Sequence, residues 1–448
     1  MGSISKKMII PNNSELEHSV NKAVALLCEL SPLQRMINSP GLDKAFEIIE
    51  REFPNIAIHE YPVGSKCGDW EVPSSWEVKS AYMKDSNGKV VASIDESPLF
   101  VSPFSEPIEG WFLKEEIENN LTTDKTRPDV FILEHRNAYN FQLNQWGITL
   151  PYNRWANLKD GKYFIKIDVE RAKSPMKVAE LFLPGDSEET LCLCAHIDEL
   201  CNDDLSGCVT AMETMRMLEK SKNRKYSYQM LLSPELIGTI FYLGNNPNKI
   251  KNTFGMINIE MVGAGESWNL KHSLNPESLL DNILKMSLDL SGVENKEIGF
   301  FEGYGNDERV YSWPPVSIPS VSLQKYPFFE YHSSLDTPEI IDPESLKKAI
   351  LICSNLINII ENNYVPFYTD NIPPYLSKRN LYFDRSKDAN NHDKFNNQLL
   401  FNIDGRNNIV DLCKLTGLTF SNIVEYLGLF YQNGILGKRK VSWIDDEI

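Results

Sequence analysis

A mixed α/β sheet flanked by helices, with an inserted β-rich domain and a small C-terminal winged-helix domain, is the fold class predicted for this chain. Three observations predict it. Beyond Ala179, short apolar runs of strand length alternate with segments carrying apolar residues at helical spacing, the pattern of a sheet covered by helices. From Gly68 to about Ser174 the texture changes to short β-branched and aromatic runs broken by Pro and Gly. After Pro366, Pro373 and Pro374, two helical patterns flank a Thr416-Gly417 turn.

In chain order, apolar periodicity predicts helices over 14–30 and 42–52 and a strand at Ile56–His59. In the β-rich stretch, Ser86-Asn87-Gly88-Lys89 is a hairpin signal. Strands are then expected at Leu191–Ala195, Tyr228–Leu232, Gly255–Ile259 and Ser317–Leu323. Helices are expected at Gly207–Leu218, Pro234–Leu243, 276–291 and 343–361. Ile409–Leu415 and Phe420–Gln432 read as a helix-turn-helix, with Lys438–Trp443 as a wing. The expected domains are 1–67 with 175–368, the insertion 68–174, and 369–448.

The bulk numbers narrow the function. At 448 residues the chain exceeds one compact core. A formal charge of −17 disfavours general binding to nucleic acid or an anionic membrane, since like charges repel. The N-terminus lacks the apolar core of a signal peptide, and no run of about 18 apolar residues suits a membrane span. The eight cysteines form no CxxC pair. Those near the candidate site, Cys192, Cys194, Cys201 and Cys208, read as strand and helix packing rather than as ligands. A reducing cytoplasm is the expected location.

Chemistry concentrates where strands end. His196 closes an apolar strand, with Asp198 two residues on and Asp203 in the loop entering a helix. A strand-end imidazole can offer one nitrogen to a metal while a nearby carboxylate holds the other. Glu235 emerges from the Leu231-Leu232-Ser233-Pro234 run, and Glu260 ends Ile257-Asn258-Ile259. His332 follows Tyr331 and precedes Asp336-Thr337-Pro338. Two histidines and three carboxylates form an oxygen and nitrogen set suited to Zn2+.

The order His-x-Asp, Asp-x-x-Ser-Gly, strand-end Glu, Glu-Met-Val-Gly and late Tyr-His with Asp-Thr-Pro resembles the zinc exopeptidases over residues 180–365. That group includes bacterial leucyl aminopeptidases, glutamate carboxypeptidase and glutaminyl cyclase. Over nearly its whole length the chain is similar to a bacterial aminopeptidase-like family of uncertain function. Gly68-Asp69-Trp70, Trp76-Glu77-Val78, Trp146-Gly147, Pro234-Glu235 and Asp307-Glu308 carry that likeness. The resemblance implies one or two Zn2+ ions: His196, Asp203 and Glu260 on one, and Asp203, Glu235 and His332 on the other. It makes Asp203 the bridge and Asp198 the orienter of His196. It gives Asp307 and Tyr331 supporting or substrate-binding places.

Two departures stand out. The exopeptidases carry Glu-Glu where this chain has Pro234-Glu235, and the first of that pair is their general base. Proline cannot accept a proton, so Glu199, Glu330, Asp204 or Glu235 would have to serve. Glu260 replaces the usual Asp, which leaves a single-zinc centre of Asp203, Glu235 and His332 open. The implied activity is amide hydrolysis on a short peptide or an aminoacylated small molecule, with the insertion acting as a lid. N-deacylation in carbohydrate or natural-product metabolism is a second reading. A non-catalytic scaffold or regulator on a degenerate peptidase fold is a third. Phe420–Gln432 holds no Lys or Arg, so DNA reading is not expected of it. Its apolar Ile423, Tyr426, Leu427 and Phe430 suggest packing on another surface, with a homo-oligomer formed through the winged helix or the lid.

Overall fold

The computed structural model describes residues 11–135, 139–386 and 390–443. They divide into two compact units, Pro11–Pro276 with Val293–Leu351, and Glu277–Gly292 with the chain from Ile352 onward. The division falls inside the long helix Pro343–Asn362.

The first unit is built on eight strands: β1 Ala57–Tyr61, β2 Met176–Leu183, β3 Thr190–His196, β4 Ser227–Ser233, β5 Thr253–Glu260, β6 Ser267–Lys271, β7 Asn295–Ile298 and β8 Ser320–Tyr326. Their spatial order is β1-β2-β4-β3-β5-β8-β6-β7. The pairs β3–β4, β3–β5 and β5–β8 are parallel, whereas β2–β4 and β6–β8 are antiparallel. Every residue of β3, β4 and β5 is buried, as expected of strands covered on both faces. The sheet is therefore mixed and α/β in class, as the alternation of elements predicted. Strands β6 and β7 were not foreseen. Asn295-Lys296-Glu297-Ile298 lies at the sheet's edge, where no apolar run is needed.

Helices cover this sheet. The first, α1 Asn13–Leu30, is closed by a capping box between Asn12 and Glu15. Next, α2 Pro40–Glu52 begins on Ser39 with Pro at its first position. The third, α3 Leu205–Glu219, packs on β3 and β5 and against α1, which leaves thirteen of its fifteen residues buried. Gly207 makes that approach possible, because a Cβ there would lie 2.0 Å from the Ile259 carbonyl oxygen. The fourth, α4 Ile237–Asn245, starts three residues later than the sequence pattern predicted. The carboxylates of Asp198 and Asp307 accept from the Glu235 and Leu236 amides, and Leu236 sits at φ +57°, so the first turn stays unwound.

The inserted region forms an antiparallel sheet in the order Val90–Ser93, Ser75–Lys84, Lys162–Ala172, Ile108–Leu113. The hairpin at 85–89 is present, with Gly88 at φ +82°. Trp76 packs here, its indole stacked on Phe104 and donating to the Ser105 carbonyl at 3.0 Å.

The second unit contains α5 Leu279–Leu290, α6 Ile409–Thr416 and α7 Phe420–Gln432, with left-handed Gly417 capping α6. Val365–Tyr368 pairs antiparallel with Leu436–Arg439. Ile423, Tyr426, Leu427 and Phe430 are buried, and Tyr426 packs on Phe395 and Phe430 of the same unit. These side chains form the unit's own core, which corrects the expectation that they pack on another surface. No helix among the described residues is long and apolar enough to cross a membrane.

Candidate metal centre

Because β3, β4, β5 and β8 run parallel, their carboxyl ends lie along one edge of the sheet. This is where ligands gather in open α/β sheets. His196 is the last residue of β3 and Glu260 the last of β5; Glu235 follows β4, and His332 lies in the loop after β8. Strand register thereby gathers His196, Glu260 and, just past β4, Glu235, and the loops carry Asp203 and His332 to the same edge.

Asp203 sits at the middle. Its Oδ1 lies 3.1 Å from His196 Nε2, and its Oδ2 lies 3.1 Å from His332 Nε2. Glu260 Oε1 is 3.6 Å from His196 Nε2, while its other oxygen accepts from Asn258 and Asn306 at 2.8 and 2.7 Å. Asp198 Oδ1 is 3.2 Å from His196 Nδ1, the geometry expected of a carboxylate that fixes an imidazole's tautomer. Glu199 Oε2 is 3.2 Å from His332 Nε2, and Glu199 Oε1 is 3.1 Å from His135 Nε2. Three overlapping groups place their ligand atoms within 4.8 Å of one another: His135–Glu199–His332, His196–Glu199–Asp203 and His196–Asp204–Glu260.

The backbone around these groups is held by buried polar contacts. The Asp336 carboxylate accepts from the Asn202 and Asp203 amides at 2.6 and 3.1 Å. Asp204 accepts from the Gly207 and Met261 amides, so it caps α3 and is spent as a structural anchor. The fully buried Arg35 guanidinium donates to the carbonyls of Leu30, Leu33, Ile197, Glu199 and Leu200. Four of the eight described non-glycine residues at positive φ lie in these loops: Glu199, Leu236, Met261 and His332. Backbone of this kind costs about 1–3 kcal/mol per residue and persists where neighbours over-determine it.

The inserted region reaches the same edge. The Leu133 amide donates to the His332 carbonyl at 2.8 Å, and the Ser334 amide donates to the Phe131 carbonyl at 2.9 Å. Arg127 Nη1 donates to the Phe329 and Tyr331 carbonyls. His135 thereby lies face to face with His332, ring centroids 4.7 Å apart, and Tyr331 stacks on His332 at 3.7 Å.

Charge balance favours a cation. Burial opposes protonation of His332, but Glu199 and Asp203 beside it push its pKa up to about 10. His196 is raised as well, by Asp198, Asp203 and Glu260 against the effect of burial. A divalent ion can supply the positive charge that protons supply otherwise. The buried Asp203 Oδ2 lies near His332, and His135 Nε2 near Glu199, yet neither atom makes a well-aligned hydrogen bond. A metal would satisfy both atoms, so the donor set fits zinc.

The expected residues are placed unevenly. His196, Asp203, Glu260 and His332 come together, and Asp198 adjoins them. Glu235 stands apart from all three ligand groups: its Oε2 accepts from the Tyr139 hydroxyl at 2.8 Å. Burial raises the Glu235 carboxyl well above its usual range, and the charge of Glu199 adds to this. Asp307 is fully buried behind Leu236, so it supports the Glu235 loop from inside. Burial pushes its pKa up to about 7. His135, Tyr139 and Arg35 escaped the sequence reading. His135 is one of only seven histidines, but it ends no apolar strand. A recess of about 350 Å³ lined by His59, Lys66, Phe241 and Asn246 shares no residue with this centre; converging ligands locate the site, not the larger hollow.

The mixed sheet flanked by helices is an aminopeptidase-like α/β fold. The structure matches a zinc aminopeptidase from Bacillus subtilis with a TM-score of 0.57 and 13% identity, over 76% of this chain and 94% of that one, a likeness of fold. Residues 24–363 match the family described as a domain of unknown function, DUF4910, and the chain belongs to that family. It is 30% identical over 440 residues to a Clostridium acetobutylicum protein, across 95% of this chain and 98% of the other. That relative is provisionally named a polysaccharide biosynthesis protein with an aminopeptidase-like domain. A crystal structure provisionally described as a peptidase from the same species matches with a TM-score of 0.82 and 27% identity, covering 95% and 99% of the two chains.

Proposed function

We propose that this protein is a zinc-dependent amide-bond hydrolase of aminopeptidase type acting on a short peptide or an aminoacylated small molecule. One observation carries the reading: the two oxygens of Asp203 reach separate imidazoles, His196 and His332, each at 3.1 Å. A carboxylate reaching both the strand-end His196 and the loop residue His332 is an arrangement suited to bridging a pair of metal ions. When bound, zinc supplies Lewis acidity, polarising a carbonyl and lowering the pKa of water to about 7.

The chain's own groups do the rest. Asp198 orients His196 and anchors the turn before α4. With Pro234 in place of a carboxylate, proton transfer falls to Glu235, held by Tyr139 and buried beside Glu199. Tyr331, stacked on His332, walls the site on the side away from His135.

N-deacylation of a sugar or related metabolite is a second reading, favoured by the relative's name as a polysaccharide biosynthesis protein and by the altered base position. Zinc content and hydrolysis of aminoacyl-p-nitroanilides against N-acyl amino sugars separate the outcomes. Activity on the first class alone supports the aminopeptidase reading; activity on the second alone supports the deacylase. Less than about a tenth of an equivalent of zinc after reconstitution removes both.

A further inference from the structure

We propose that the second ion is held by His135, Glu199 and His332 with Asp203 as the bridge, so that the inserted region supplies a metal ligand and Glu235 does not. This rests on the metallo-hydrolase reading and assigns its ligands. The spacing is that of a zinc site. Ligand atoms about 2.1 Å from a tetrahedral ion stand about 3.4 Å apart. Here Glu199 spans His135 and His332 at 3.1 and 3.2 Å, and Asp203 Oδ2 is 3.1 Å from His332 Nε2. That oxygen belongs to a side chain only 2% exposed and makes no hydrogen bond, so it is a buried acceptor aimed into the cluster. His135 Nε2 likewise makes no well-aligned hydrogen bond, its one near polar neighbour being Glu199.

Glu235 is occupied elsewhere. Its carboxylate takes the Tyr139 hydroxyl at 2.8 Å, and its amide is fixed on Asp198. Tyr139 lies four residues after His135, its ring nearly parallel to the histidine's. One segment of the insertion therefore brings in a ligand and draws Glu235 aside. The segment is docked by the hydrogen bonds between Phe131 or Leu133 and Ser334 or His332, so His135 does not reach the site on a free loop.

The test counts zinc ions per chain after saturation and dialysis, in the full-length protein and three variants, with circular dichroism as the check on folding. The expected result is two ions in the wild type, one in His135→Ala and two in Glu235→Gln. Two ions in a folded His135→Ala, or one in Glu235→Gln, overturns the assignment. Glu235→Gln keeps the question decidable should His135→Ala not fold. If His196→Ala loses an ion while His135→Ala loses none, the assignment fails and the metallo-hydrolase reading stands. A wild type that binds only one ion overturns the assignment, and one that binds none overturns both.

Discussion

Glu180 fastens the β1 edge of the main sheet, and exchanging it for glutamine has a calculable effect. Its Oε2 lies 2.8 Å from His59 Nε2, and its Oε1 accepts from Gln229 at 2.8 Å and Lys249 at 2.5 Å. Burial alone would raise this carboxyl; the hydrogen bonds from His59 and Lys249, with the charge of Lys249, hold it at about 2 instead of 4.5. A displacement of that size corresponds to about 3 kcal/mol at neutral pH. Lys249 and His59 are 32% and 29% exposed, and solvent screening trims the figure to about 2 kcal/mol. The folded pKa is the lower one, so the stabilisation is complete above pH 4.5 and is lost as pH falls toward 2. Urea titration followed by hydrogen exchange of the 176–183 strand in wild type and Glu180→Gln measures the difference directly. It should be about 2 kcal/mol at pH 7 and about half that at pH 3. A gap at pH 7 below about 0.5 kcal/mol, the size of an ordinary surface exchange, or one that does not shrink on acidification, refutes the reasoning.

Substitutions at two further positions probe how the centre is held. Arg35→Met removes every donor to the carbonyls of Ile197, Glu199 and Leu200, so it should lower stability by about 3 kcal/mol or more and weaken zinc binding. Arg35→Lys should recover only part of this, because an ammonium has three donors and no planar fork; melting curves and zinc titration decide. Gly207→Ala places a methyl 2.0 Å from the Ile259 carbonyl and 2.4 Å from Asp204 Oδ2. It should cost about 3 kcal/mol, and an unchanged melting temperature would contradict the close packing of α3 on β5.

The sequence disclosed the buried core strands and the candidate ligands that end them, because one physical rule governs both. A buried strand needs an unbroken apolar run, and a carboxylate or imidazole ending that run is conspicuous. His196 and Glu260 were legible for that reason, and Asp203 through the helix start after it. What stayed hidden lacks such a frame. His135 is placed by backbone pairing between 131–133 and 332–334, a long-range match that leaves no local periodicity. Arg35 resembles any basic residue after a helix, and only burial reveals its partners. The displacement of Glu235 depends on a hydroxyl 96 positions away in the sequence, which no pattern around Pro234 could report.

The short seam between Phe131–Leu133 and His332–Ser334 bears on how the molecule can be divided. Excising the insertion would strip the amide of Ser334 and the carbonyl of His332, a candidate ligand, of their partners. Residues 68–174 also share one apolar core with the main sheet, Trp76, Met83 and Ile165 lying in the same cluster as Val178, Leu231 and Met256, so a trimmed version would expose a broken edge and an opened core.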